Sequence, residues 1–217
     1  PGVRTVAEGE SMEALWIVVA LLAAGGVGLP VTMLVLRLAT GVAADLARHA
    51  ATEADRRLWK GREDLFTPIA KAWSTDVGCE VASLGVQVHG CMGFIEETGA
   101  AQYYRDARIL PIYEGTTAIQ ANDFIGRKVL RDAGAVIQGL APELGATVAK
   151  LRERAAQGGE HKAALSLIAD RLEAGVKSVE RAAMFTLMNA QKDLSAVFLG
   201  SVPLLMLSGY VLTGWQM

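Results

Sequence analysis

Along the chain, apolar residues recur at steps of three and four rather than two, and glycine and proline fall at helix-length intervals. The pattern predicts an all-α protein, a bundle of helices without a sheet. A mixed-charge helix is expected over Val42 to Arg57, with Leu46 and Ala50 inward and Arg48, Glu53 and Arg56 in water. Thr67-Pro68 reads as the start of a second helix, threonine as N-cap and proline at the first helical position. From there Ile69, Ala70, Trp73, Val77, Val81, Leu84 and Val88 form one apolar stripe that ends at Gly90. Gly90 to Gly93 is expected to be a tight loop, and Gly99 to Arg108 a short helix that stops before Pro111. After a loop carrying Glu114, a further helix opens at Thr116 or Thr117, where Thr117-Ala118-Ile119-Gln120 has capping-box spacing. It carries Ala121, Ile125 and Val129 inward and stops near Gly134.

Beyond Gly134 the texture changes. A helix over Pro142 to Ala156 is followed by a Gly158-Gly159 break and a long amphipathic helix from about His161 to Lys192, with Leu165, Ile168, Leu172, Val176 and Val179 on one side. The last, apolar segment should pack against it. The expected organisation is therefore a helical bundle over residues 1–134 and a helical C-terminal extension over 135–217. No internal repeat or low-complexity tract interrupts it.

Composition narrows the function classes. The 217 residues are 52% hydrophobic, enough for a substantial core. The 21 basic residues nearly balance the 23 acidic ones, and no basic run with interleaved aromatics occurs, which argues against nucleic acid. Cys79 and Cys91, with His49, His89 and His161, have no metal-ligand spacing, so no metal site is expected, and a reducing, cytoplasmic compartment fits two unpaired thiols. Ala14 to Leu36 and Leu194 to Met217 are long enough to cross a bilayer. Gly25, Gly26, Gly28 and Pro30 break the first, and Ser201, Pro203, Ser208 and Gly209 mark the second, so both read as helices packed inside protein.

The densest chemistry lies in three blocks: Gln87-Val88-His89-Gly90-Cys91-Met92-Gly93-Phe94, Tyr104-Arg105-Asp106-Ala107-Arg108, and Ile112-Tyr113-Glu114-Gly115-Thr116-Thr117-Ala118-Ile119-Gln120. A glutamate between an aromatic residue and a glycine, just before a capped helix, suits a general base if apolar surroundings strip its hydration and raise its proton affinity. Gly115 leaves room for a flat ligand, and the helix after Thr116 offers free N–H groups. Gln87 with Gly90 and Gly93 offers an amide and open backbone to a polar ligand. By spacing alone, a solvated loop carboxylate fits Glu114 better than a base does.

In order, spacing and residue type, these blocks together resemble the C-terminal signature of the acyl-CoA dehydrogenase family, and the wording at 96–102 and the tail after Gly134 resemble the bacterial 3-methylmercaptopropionyl-CoA dehydrogenase-like subgroup. The resemblance implies α,β-dehydrogenation of an acyl-CoA thioester with FAD as cofactor and an electron-transfer flavoprotein or similar acceptor. Glu114 would be the catalytic base that takes the α-proton, and its own N–H a donor to the thioester oxygen. Gly115 and Tyr113 would border the substrate. Thr116, Thr117 and Ala118 would contact the flavin, and Gln87, Val88, His89, Gly90 and Cys91 the adenine or pyrophosphate end of FAD bound by a neighbouring subunit, which implies a homodimer or tetramer. Arg105, Asp106 and Arg108 are assigned to structural ion pairs.

Cys91 stands where the family usually has a second glycine, and its side chain is expected to crowd the cofactor phosphate. The resemblance covers Asp45 onward, without the family's N-terminal helical and central β-domains, so the chain reads as a fragment inactive by itself. A helical membrane or interaction module and a noncatalytic dehydrogenase-like scaffold are the other two readings.

Overall fold

Two local chemistries decide where the helices break. The computed structural model describes residues 28 to 216, and the first helix, α1, covers Gly28–Arg48. The next, α2, runs unbroken over Glu53–His89. Between them Thr52 makes a reciprocal cap: its hydroxyl accepts the Asp55 amide at 3.1 Å and donates to the Asp55 carboxylate at 2.7 Å. That cap ends the helix expected over Val42 to Arg57 and starts a new one inside it. The inward face of α1 is also displaced from expectation, since Ala43 and Ala47 are buried and Leu46 is exposed.

The expected start at Thr67-Pro68 is corrected as well. Pro68 sits fully buried in the interior of α2, and Thr67 donates its hydroxyl to the Glu63 carbonyl at 2.7 Å instead of capping. A proline inside a helix removes one hydrogen bond. Here the burial of Leu65, Phe66, Ile69, Ala72 and Trp73 around it outweighs that loss.

The described residues form two compact units, one from those up to Leu34 with Ser74–Thr116, the other from Val35–Trp73 with the described residues from Thr117 onward. The first contains the C-terminal part of α2, a one-turn helix α3 (Cys91–Phe94), a 3₁₀ turn at Glu96–Thr98 and α4 (Ala100–Arg108). Gly90 to Gly93 is thus a positive-φ glycine leading into a helical turn, where a loop was expected.

In the second unit, α5 (Thr117–Asp123) continues into a π-helical turn over Phe124–Val129. The amides of Leu130 and Gly134 reach back five residues, to Ile125 and Val129, each at 2.9 Å. Ala121, Ile125 and Val129 are wholly buried, as their spacing predicts. Asp132 then accepts the amides of Gly134 and Val136 at 2.9 and 3.1 Å and so caps α6 (Ala135–Ala156). A turn through Gly158 and Gly159, both at positive φ, returns the chain as α7 (Lys162–Asn189), which packs along α6. Leu172 and Val179 are buried as expected, but Ile168 is half exposed because Ala169 takes the inward position.

The apolar C-terminal segment divides at Gly200 into α8 (Leu194–Leu199) and α9 (Ser201–Gln216), and α9 packs on α5 and α7. Two of its buried hydroxyls are satisfied internally: Ser208 donates to the Leu204 carbonyl at 2.8 Å and Ser201 to the Asn122 side chain at 3.2 Å, whereas the buried Thr213 hydroxyl has no partner among the described residues. No helix among the described residues is long and apolar enough to cross a membrane. Most of the Ala14 to Leu36 run lies outside those residues.

Gly209 of α9 lies against Trp73, whose ring also meets Tyr210 edge-on at 5.5 Å. A Cβ on Gly209 would come within 2.6 Å of the Trp73 Cβ and closer still to its ring. Gly209→Ala is therefore expected to destabilise this unit by about 1–3 kcal/mol, the cost of overpacking a filled core. Equilibrium denaturation of the variant checks it, and an unchanged midpoint would show that the contact is not tight.

Candidate active site

Glu114 follows α4 on a turn that hydrogen bonds shape: Leu110 N–H donates to Ala107, and the amides of Ile112 and Tyr113 both donate to Ile109, at 3.0 to 3.1 Å. The turn forces Glu114 to φ 54 and Gly115 to φ 91. A left-handed glutamate is uncommon, and glycine after it takes a conformation that a side chain would strain. These two angles redirect the chain into α5. Tyr113 and Glu114 are exposed, and Gly115 and Thr116 half-buried.

The apolar surroundings expected for the Glu114 carboxylate are not what these residues supply. Ile112 and Tyr113 beside it are themselves exposed, at 55% and 47%, so the neighbours that could exclude water lie open with it. Glu114 is thus exposed on the surface of its unit.

The turn is fastened at its upstream end by Cys79. That buried thiol donates to the Ala107 carbonyl at 3.1 Å, tying the last turn of α4 to α2, and burial pushes it above the usual thiol range even though Arg108 opposes the shift. It stays protonated and remains a donor. Cys79 is thus a small buried thiol that also carries this hydrogen bond.

On the other loop of the same unit, Gln87 and Val88 are exposed on the last turn of α2, and His89 closes it by bonding its Nδ1 to the Gly85 carbonyl at 2.9 Å. Gly90 has φ 60, and a Cβ there would meet nothing within 4 Å, so backbone is open to approach. Cys91 is exposed at the start of α3. The constrained glycine is Gly93 instead: a Cβ would lie 2.9 Å from the His89 Cβ and closer to the Val86 carbonyl oxygen. Thr98 locks the loop by donating its hydroxyl to Met92 and Ile95 carbonyls, at 2.6 and 3.1 Å.

Gln87 to Cys91 and Tyr113 to Thr116 thus belong to one compact unit, whereas Thr117 and Ala118, half-buried and exposed, open the helix of the other. Motif spacing missed the strap between them in sequence. Arg105 reaches Glu96 with both terminal nitrogens, at 2.7 and 2.8 Å, joining α4 to the turn after the glycine loop. A structural pair was expected of Arg105, but its partner nine residues back is outside helical spacing and has no local signal.

The Arg105 hydrogen bonds hold the Glu96 carboxyl below the ordinary glutamate range. A depressed folded value means the pair's contribution is present above the unfolded value and lost as pH falls through the folded one. A carbon-detected titration should find Glu96 below an ordinary exposed glutamate, and Arg105→Gln should bring it back up. No difference between the two proteins would show that the pair is not formed in solution. At Gly93, substitution by alanine should lower the melting temperature by several degrees, about 1–3 kcal/mol of crowding against backbone. A melt unchanged from that of the parent would mean that α3 moves freely.

Two family descriptions match the chain: "Acyl-CoA dehydrogenase, C-terminal domain" over residues 34–130 and "Acetyl-CoA dehydrogenase C-terminal like" over 140–217. The 3-methylmercaptopropionyl-CoA dehydrogenase of Ruegeria pomeroyi is 49% identical over 182 residues, which is 84% of this chain and 30% of that protein. A broad-specificity linear acyl-CoA dehydrogenase of Mycobacterium tuberculosis is 34% identical over 164 residues, 74% of this chain and 26% of that protein. A butyryl-CoA dehydrogenase of Syntrophomonas wolfei is 36% identical over 108 residues, 48% and 17%. The chain therefore spans less than a third of the length of these relatives.

Proposed function

The chain belongs to the acyl-CoA dehydrogenase family through its C-terminal helical domains, and from that premise we propose that it carries the proton-abstracting base, Glu114, of an acyl-CoA thioester dehydrogenase. The observation that carries the reading is the backbone at Glu114 and Gly115: two consecutive positive φ angles, one on a residue that rarely adopts them, set a carboxylate at the tip of a hydrogen-bonded turn. Strain of this kind persists where the surrounding structure holds it, and it concentrates at sites of function.

In this reading, Glu114 removes the proton from the α-carbon of the thioester, and its backbone N–H steadies the charge that develops on the thioester oxygen. Gly115 and Tyr113 border the acyl group. Because Glu114 is exposed in its unit, the water around it is displaced by the substrate itself.

FAD is the cofactor of this reading and supplies the acceptor for the hydride that leaves the β-carbon. Each region offers what such a group needs: Gly90 is exposed with open space where a Cβ would stand and Gln87 offers an amide, while Thr117 and Ala118, preceded by Thr116, open α5. Cys91 lies exposed beside Gly90, at the position where its side chain would meet the cofactor phosphate. Gln87, Val88, His89, Gly90 and Cys91 would hold the adenine or pyrophosphate end in a homo-oligomer, with electrons passed to an electron-transfer flavoprotein or similar protein. The bundle and extension divide near Gly134, and the compartment of the reading is the cytoplasm.

In the complete enzyme, Glu114→Gln should lower kcat by at least about a thousandfold, as loss of a general base does, while the flavin absorption and its bound fraction stay unchanged. Rapid mixing with a short acyl-CoA and following flavin bleaching tests this. Bleaching at the parent rate would assign the proton transfer elsewhere.

A further inference from the structure

In the unit formed by Val35–Trp73 and Thr117–Met217, a cleft of about 360 Å³ lies among Trp59, Phe66, Trp215, Arg62, Leu38 and Val42. That volume is within the range of about 300–1,000 Å³ that small-molecule sites occupy. Leu38 and Val42 are more than half exposed, so the cleft opens to solvent along α1. None of its residues belongs to the set assigned to dehydrogenation.

Arg62 is the one charged residue lining it, and it is only 7% exposed. Both terminal nitrogens go to the Glu143 carboxylate, and the guanidinium lies 4.7 Å from the centre of the Trp59 ring. Of the N–H groups not directed at Glu143, the one on Nε is buried with no acceptor among the described residues. An N–H of an ionised group withdrawn from water and left unsatisfied is costly, and such groups in a folded protein call for an explanation. Trp215 cannot supply an acceptor, and its own N–H is already given to the Thr147 hydroxyl at 2.9 Å, so it contributes apolar surface.

The charge of Arg62 is balanced by Glu143, so the missing partner is an oxygen without charge. A second carboxylate would put two anions on one guanidinium. We propose that this cleft binds a flat, apolar ligand carrying a neutral carbonyl oxygen, an aromatic amide or ketone, with the ring among Trp59, Phe66 and Trp215 and the oxygen on Arg62 Nε. Because Nε has no exposure beforehand, the ligand reaches it as Trp59 shifts off the guanidinium, and the indole emission reports that step.

The test titrates the intact protein with 2-naphthamide, 2-methylnaphthalene and 2-naphthoate by calorimetry and tryptophan emission. The amide should bind saturably and at least tenfold more tightly than the hydrocarbon, with the carboxylate between or below them. Trp215→Leu should weaken all three, whereas Arg62→Lys, whose compact ammonium cannot hold Glu143 with two nitrogens and also place an N–H where Nε stands, should bring the amide down to the hydrocarbon. Should Arg62→Lys fail to fold by its melt, Glu143→Gln decides: with the balancing charge gone, the carboxylate should overtake the amide. Equal affinity for amide and hydrocarbon, no saturable binding to the intact protein, or an unchanged preference in Glu143→Gln would each overturn the proposal.

Discussion

The larger unit depends on how closely α9 approaches α2. At Gly209 the absence of a side chain lets the helix backbone rest on the Trp73 ring, and Tyr210 next to it meets that ring edge-on. Gly175 of α7 stands in the same relation to Val211, where a Cβ would come within 2.7 Å. Two glycines on two helices therefore set the spacing of the C-terminal hairpin and α9 around Ile69, Phe124, Ile125 and Leu205. Glycine lowers helix propensity by about 1 kcal/mol against alanine. Close packing of large apolar side chains, at roughly 25 cal/mol per Å² of buried apolar area, more than offsets that.

The same balance explains Pro68 and Arg62, two residues that a helix and a core would each be expected to reject. Pro68 is retained because the residues around it are buried together. Arg62 is retained because Glu143, 81 positions away, and the Trp59 ring compensate its charge. Removing one member of such a pair leaves the other uncompensated, which makes the Arg62–Glu143 contact a determinant of how α6 sits on the first half of α2.

In the smaller unit the constraint is on direction. Cys79 fixes the end of α4, Arg105 ties α4 to Glu96, and the turn from Ile109 onward delivers Glu114 with φ 54. The strength of the candidate site lies in this fixed backbone, since the carboxylate itself faces outward. In the proposed reading, a base held by its backbone and dried by its substrate is compatible with catalysis, because the shell that excludes water need not be present before binding.

The sequence by itself determined the helical class, the inward set Ala121, Ile125 and Val129, the stop at Gly134, the break at Gly158-Gly159 and the family signature at 87–120. Each depends on periodicity, on turn-forming residues or on a run of residue types, and all of these are local. Only the tertiary structure decided that Thr52 divides α1 from α2, that Pro68 lies within a helix, that Ala43 rather than Leu46 faces inward, and that Glu114 is exposed. Those outcomes turn on which surfaces meet, and partners such as Glu143 for Arg62 or Gly209 for Trp73 are separated by tens of residues that carry no mark of the contact. Burial is a property of the neighbours, and a sequence names a residue without naming what covers it.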